Sequence, residues 1–574
     1  MKRIGLLLLF LSTLLVSQAQ YQNLWIPDTL SGSTFNLTAR DTFKQMLSGN
    51  QTVTAAYNGN WWGPTMIWNK GQTVHINVTN KLNDSTTVHW HGMHLPAVMD
   101  GGPHQVIPIN TIWSPYWTVT NNAATYWYHP HLHMESEKQI TQGLGGLIIV
   151  RDSIESALPL PRRYGVDDIP LILTDRSFSS NQFTTVPYGD SMVTNGVLHA
   201  QYTLPAQVVR FRVLNAAIER SYNIGFSDGS TFYVITSDGG LLNAPVALTR
   251  FIISPGERVE ILVNLTGKTS SLDLMAYNST LSGIIGGGEN FMGGPFANAL
   301  GHKDFPMLHI NIGTQTTAPI TTIPTSLTTN TYLNVANAST TRYLTMSDSS
   351  GVSGILGPNA FIINHHLFQL NKIDYQVPVD STEIWQITST SGFSHPFHIH
   401  DVEFNIISID GATPPAEQQG WKDVILVSGH QGPPGSMGSH IVKFIAKFAD
   451  YSDSLHPFMF HCHIALHEDE GMMGQFVVTD KSMTTGIAEE VGALPDYSIY
   501  PNPSNNKIYI RFINTNTSAY YIKIVDAMGR TLYMLPRPEL DNGIDVSALY
   551  RGVYEVQLID DKTKATVTKK FVKE

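Results

Sequence analysis

The sequence predicts an all-β protein, with three consecutive β-sandwich domains of similar length and a smaller β-sandwich at the C-terminus. Three observations predict it. Apolar residues fall in short runs such as "QTVHINVTN", "VVRFRVLN", "VEILVNL" and "KFVKE", separated by Gly, Asn, Asp and Pro. Long amphipathic helical patterns are scarce. Pro- and Thr-rich joins cut the main body into three blocks and set off a fourth.

Each element follows in order. The start, "MKRIGLLLLFLSTLLVSQAQ", reads as an export signal over residues 1–19: Lys2 and Arg3 supply charge, residues 4–16 an apolar stretch, and Ser17-Gln18-Ala19 a cleavage site. The first sandwich is expected over 20–157, ending at the Pro-centred "LPLPRR". The second spans 158–318 and runs into "TQTTAPITTIPTSLTTN" at 314–330. The third covers 319–488, and a join at 494–503 precedes the fourth block, 495–574.

With 42% hydrophobic and 14% charged residues over 574 positions, the chain has ample material for real cores. A net charge of -11 argues against nucleic acid or anionic membrane as a partner. Beyond the N-terminus no apolar run reaches the ~18 residues of a spanning helix, so no transmembrane segment is expected in the mature protein.

The chemistry lies in the histidines. Four His-x-His pairs occur: His89 and His91 in "VHWHG", His129 and His131 in "YWYHPHLH", His398 and His400 in "HPFHIH", and His461 and His463 in "HCH". On a strand, residues two apart share a face, so each pair aims two imidazoles the same way. A single pair is weak evidence for metal, but four in apolar, strand-like settings are strong. Eight imidazoles exceed the needs of one four-coordinate ion, so several ions are implied. Two pairs fall in the first block, two in the third and none in the second, which places the cluster between blocks one and three with the second as spacer.

Cys462, the only cysteine, sits between His461 and His463 in "HPFMFHCHIALHEDEGMM". If its neighbours face the cluster, Cys462 faces the opposite side of the strand. His395 precedes the third pair, and His467 and Met472 follow the cysteine by five and ten residues. Two His, one Cys and a weak axial Met describe a blue-copper electron-transfer site. Cys462 would then connect that site to the cluster through the backbone.

These motifs, in this order over residues 21–480, resemble the multicopper oxidase family. "VMDGGPHQVIP", "TNGVLHAQY", "VITSDGGLL", "GERVEILV" and "GWKD" resemble its bacterial copper-efflux branch. The resemblance implies cupredoxin-like sandwiches and four copper ions. His395, Cys462, His467 and axial Met472 would hold the type 1 ion, with Met473 left to packing. His89 and His398 would hold type 2, and His91, His129, His131, His400, His461 and His463 the type 3 pair. With every ligand position filled, the chain differs from copper-free cell-division relatives. Asp100 and Glu468 match the family acids that relay protons to dioxygen, although each could instead support a ligand histidine. Asp469 and Glu470 read as solvated. His94, His104, His133, His365, His366 and His456 match no ligand position.

The resemblance implies dioxygen as acceptor and a small-molecule donor reaching the exposed edge of His395 or His467. Copper-efflux relatives carry a Met-rich insertion and an Asp and a Met before the first type 1 histidine; here Ser391 and Phe393 stand there, and Met307 and Met346 are the only methionines between Gly301 and His395. The expectation is a laccase-like oxidase of phenolic or related donors, with a cuprous-ion oxidase in copper tolerance as the alternative and copper storage a third reading. An axial methionine implies a lower potential than a non-coordinating Leu or Phe would give. The tail, from "YSIYPNPSNNKIYIRF" to "TKKFVKE", resembles a type IX secretion C-terminal sorting domain, or else is a plain β-sandwich interaction module. The sorting reading implies the type IX machinery as partner and a secreted or cell-surface protein exported through the periplasm.

Overall fold

The computed structural model describes residues 21–290, 297–349, 360–430, 439–480, 497–512, 520–526, 531–536, 543–560 and 566–574. The expected export signal lies outside them. The chain divides into two compact units, Met1–Lys481 and Ser482–Glu574. The described helices are short, and none is long and apolar enough to cross a membrane.

The larger unit contains three β-sandwiches. In the first, a sheet ordered Thr29–Ser31, Thr65–Asn69, Gly146–Arg151, Ala124–His129, His89–His91 faces one built on Thr52–Tyr57, Thr34–Lys44 and Thr73–Lys81. Phe35, Trp68, Ile76, Trp90, Tyr126 and Ile148 fill the space between. In the second, two larger sheets enclose a core that includes Leu171, Phe211, Ile224, Ile261 and Leu274. The short strand Gln22–Asn23 pairs in parallel with Ala200–Pro205 of this sandwich, and Leu327, from the Thr/Pro-rich stretch, is buried in its core.

The third sandwich shows why alternation predicts strands. Ser381–Ser389 buries every second residue, Glu383, Trp385 and Ile387 among them. Its other sheet runs Tyr375–Pro378, Met473–Thr479, Asp453–Cys462, His395–Ile399, Val424–Val427. The histidine strands are therefore neighbours in this sheet, while those of the first sandwich lie side by side at a sheet edge.

The smaller unit has two sheets, one of Tyr497–Tyr500, Lys507–Phe512 and Ile544–Asp545, the other of Thr531–Pro536, Tyr520–Val525, Gly552–Asp560 and Thr566–Lys573. Tyr497, Ile508, Ile522, Val556 and Phe571 form a core of its own.

Candidate metal centre

Strand register decides which side chains meet. His129 stands opposite His89 and Trp127 opposite His91, which puts four rings on one face of the first sandwich. In the third, His398 stands opposite His461 and Phe397 opposite Cys462. The two faces interleave: His89 stacks on His400 at 3.7 Å between ring centroids, and His91 on His398 at 3.8 Å. All eight rings are buried.

Their nitrogens sort into two triads and a pair. His91 Nδ1 lies 3.4 Å from His129 Nε2 and 3.2 Å from His463 Nε2. His461 Nε2 lies 3.1 Å from His131 Nε2 and 3.4 Å from His400 Nε2. His89 Nε2 and His398 Nε2 are buried and have no hydrogen-bond partner among the described residues. The outer nitrogens are anchored: His89 Nδ1 donates to the Asp100 carbonyl (3.0 Å), His129 Nδ1 to Pro130 O (2.9 Å), His398 Nδ1 to Asp423 O (2.8 Å), His400 Nδ1 to Asp100 Oδ2 (2.7 Å) and His461 Nδ1 to Cys462 O (3.0 Å).

Burial, reinforced by neighbouring imidazoles, holds His91, His129, His131, His398, His400 and His463 well below the ordinary 6.5, and burial takes His461 to about 3. These rings are neutral at pH 7. With one nitrogen of His129, His400 and His461 already donating outward, bare lone pairs converge inside, an arrangement that repels itself unless cations lie among them. The donor set therefore fits metal ions, and imidazole suits copper.

A second donor set lies on the other face of this sheet, inside the third sandwich. Cys462 Sγ is 3.5 Å from His395 Nδ1 and 3.6 Å from His467 Nδ1, and burial pushes its thiol well up. Met472 is buried in the same apolar cluster as Cys462, whereas Met473 packs with Phe368 and Met459. The expected exposed histidine edge is absent. His395 is 0% and His467 1% exposed. Phe361 covers both rings, at 4.9 Å and 4.1 Å, Ser391 Oγ meets His395 Nε2 at 3.0 Å, and Glu219 Oε1 lies 4.0 Å from His467 Nε2.

Asp100 stands behind the cluster, holding His89 through its carbonyl and His400 through its carboxylate. Glu468 accepts from Ser136 Oγ at 2.8 Å, and its two oxygens lie 3.3 Å from His131 Nδ1 and His461 Nδ1. Asp469, expected to be solvated, is buried, because its carboxylate accepts from Ser136 N (3.1 Å) and Glu137 N (2.8 Å) and so caps the helix Ser136–Gln142 of the first sandwich. Glu470 is half-buried.

The remaining histidines have partners elsewhere: His94 with Asp401 and Asp450, His104 with Gln475, His366 with Lys372 and Asp374, His456 with Asp453. His133 packs on Phe368, and none of these nor His365 joins a group of metal donors among the described residues. Sequence reasoning missed Asp423, whose Oδ1 accepts from His91 Nε2 at 3.1 Å, and Gly256, where an added Cβ would lie 2.7 Å from the His463 ring. Both lie in quoted motifs, "GWKD" and "GERVEILV", but no periodicity marks them.

Comparison with known proteins follows the same lines. Family profiles described as multicopper oxidase match residues 39–155, 174–284 and 324–482, and a secretion system C-terminal sorting domain profile matches 498–574. Multicopper oxidase mco of Staphylococcus epidermidis is 30% identical over 459 residues, covering 78% of this chain and 88% of that protein. Cell division protein FtsP of Escherichia coli is 28% identical over 473 residues, covering 80% and 93%. The structure of the laccase-like multi-copper oxidase CueO from the lignin-degrading bacterium Ochrobactrum sp. aligns with a TM-score of 0.70 at 30% identity, covering 79% of this chain and 100% of that one. Three cupredoxin-like sandwiches with histidine clusters between the first and third define a copper protein of the oxidase type. The chain belongs to the multicopper oxidase family and carries a type IX secretion sorting domain at its C-terminus.

Proposed function

We propose that this protein is a laccase-like multicopper oxidase, coupling one-electron oxidation of phenolic or related organic donors to the four-electron reduction of dioxygen to water. The observation that carries the reading is the set of eight buried imidazoles in two triads and a pair, joined to a His–Cys–His donor set by adjacent residues of one strand. His395, Cys462, His467 and Met472 would hold the type 1 ion, His89 and His398 the type 2 ion, and the two triads one type 3 ion each. Bound copper would supply the redox chemistry and the place where dioxygen reacts.

The chain's own residues do the rest. Cys462 is bonded in sequence to His461 and His463, one from each triad, so the peptide backbone links the two sites directly. The aromatic cover of Phe361 and the lack of a methionine in the stretch leading into His395, "TSTSGFSHPFHIH", suit an organic donor. Glu468, which contacts Ser136, His131 and His461, would pass a proton inward. Asp100 has one carboxylate oxygen on His400, and the other, 3.3 Å from His89 Nδ1, has no hydrogen-bond partner among the described residues, so support and proton passage both suit it.

The second reading, a cuprous-ion oxidase, draws on Glu219. Its Oε1 lies 4.0 Å from His467 Nε2, and its buried Oε2 has no hydrogen-bond partner among the described residues; burial lifts the carboxyl to about 8, and in its ionised form it would attract a cation. Export would proceed by removal of residues 1–19 and delivery of the C-terminal domain to the type IX machinery, leaving the oxidase secreted or at the cell surface.

Oxygen uptake by the copper-loaded protein, with a phenol and with cuprous ion in parallel and Cys462→Ser as blank, tests the proposal. Fast uptake with the phenol supports the first reading. Preference for cuprous ion supports the second, and no uptake with either overturns both in favour of storage.

A further inference from the structure

Three of the quoted motifs that supply no ligand meet behind the cluster. Asp238 comes from "VITSDGGLL", Arg258 from "GERVEILV" and Asp423 from "GWKD". Arg258 is fully buried and belongs to the second sandwich. Its Nε donates to Thr125 O (3.2 Å), Nη1 to Gly256 O (3.1 Å) and Asp423 Oδ1 (2.6 Å), and Nη2 to Asp238 O (3.2 Å) and Asp423 Oδ2 (2.6 Å). A guanidinium has five N–H donors, and these contacts occupy all of them. The acceptors come from all three sandwiches, and Thr125 lies on the strand that carries His129.

Asp423 passes the restraint on. Its Oδ1 accepts from His91 Nε2 at 3.1 Å, and its carbonyl accepts from His398 Nδ1 at 2.8 Å. Because Nε2 of His91 is engaged outside, Nδ1 is the nitrogen that faces inward, unlike the Nε2 atoms of His129 and His463 beside it. The space for this fork is reserved by Gly92, next to His91. At its φ of 83° an added Cβ would lie 2.5 Å from Asp423 Oδ2 and 2.8 Å from Arg258 Nη2.

We propose that Arg258 is a positioning residue for the copper cluster: through Asp423 it fixes the rings of His91 and His398, so that the sandwich without ligands sets the geometry of ligands from the other two. The inference rests on the reading of these histidines as copper ligands. Without Arg258, Asp423 loses the bidentate partner that fixes its carboxylate, which is then free to turn. That removes the fixed partner of His91 Nε2. Loss of such an outer partner costs about 10–100-fold in metal affinity.

The test uses the full chain with Arg258→Gln, Arg258→Lys and, as control, Arg212→Gln. Arg212 is another buried arginine of the second sandwich; it binds Asp168, Glu260 and Thr125 but neither Asp423 nor a histidine. The readouts are copper affinity by competition with a chelator and the paramagnetic resonance of the blue and non-blue copper signals. We expect Arg258→Gln to keep the blue signal of the Cys462 site while cluster affinity falls by about 10–100-fold and the non-blue signal weakens or shifts. Arg258→Lys should recover part of the loss, and Arg212→Gln should lower stability with both signals unchanged. Wild-type cluster affinity and signals in both Arg258 variants would overturn the inference, as would the same change in Arg212→Gln. If Arg258→Gln does not fold, Arg258→Lys decides by the same criteria. A wild-type chain that binds no cluster copper overturns the oxidase reading and this inference together, whereas loaded wild type with unaffected variants overturns this inference alone.

Discussion

Phe397 stands directly across the ladder from Cys462, and in the next register position His398 stands across from His461. That one-residue offset sends the cysteine to one face of the sheet and its flanking histidines to the other, so a single strand presents donors to two candidate metal sites.

Cys462→Ser should therefore abolish the blue absorption and donor-driven oxygen uptake while leaving the copper of the histidine cluster in place. Copper content together with the visible spectrum measures both. Loss of all copper would show that the two faces are not independent.

Gly256→Ala should disturb the cluster through His463. Gly256 has φ 85°, and a methyl group would meet the His463 ring at 2.7 Å. We expect a loss of roughly 1–3 kcal/mol in stability and weaker cluster binding, with the Cys462 site unchanged. Calorimetry and copper titration of the variant check this.

Asp469→Ala removes the carboxylate that accepts from the first two backbone N–H groups of the helix Ser136–Gln142. Cap losses of this kind cost about 1–2 kcal/mol, so the melting temperature should fall. Asp469→Asn, which keeps an acceptor oxygen, should lose less.

Glu403 supplies a pH dependence. Burial lifts its carboxyl from 4.5 to about 7, opposed by hydrogen bonds from Asn121 and Tyr126. A carboxyl raised on folding favours the native state only while protonated, so this contribution is lost as pH rises from 4.5 through 7. Relative to wild type, Glu403→Gln should be near neutral at pH 4 and more stable by up to about 3 kcal/mol at pH 8, at ~1.4 kcal/mol per pKa unit. Denaturant titrations at the two pH values give the difference.

The smaller unit has its own core around Ile508, Ile522 and Val556. Fused to a reporter, residues 495–574 should direct its export in a host with the type IX pathway. Retention of the reporter in the periplasm would leave only an interaction module.

What the sequence disclosed follows from what repeats locally. A period of two puts His89 with His91 and His461 with His463 on one face, so the metal donors were legible as pairs. Alternation in Ser381–Ser389 likewise announced its strand. The exposure expected of Asp469 and of the edges of His395 and His467 is not found, because burial comes from residues distant in sequence: a helix of the first sandwich closes on Asp469, Phe361 covers both histidines, and Glu219 of the second sandwich approaches His467. Arg258 and Asp423, 165 positions apart, have no local pattern that could have joined them.

His91 and His463 touch at 3.2 Å across 372 positions of sequence. In chain-entropy terms the length itself adds little, since each doubling of a loop costs only about 0.6 kcal/mol. The topological demand is larger: neither ring finds the other until the first and third sandwiches have docked, and contacts of such long range form late in folding. A cation held there would act as a cross-link between two sandwiches far apart in the sequence. Its removal would loosen the seam before it melted either sandwich, so metal starvation should register first as domain breathing, readable by hydrogen exchange along that seam.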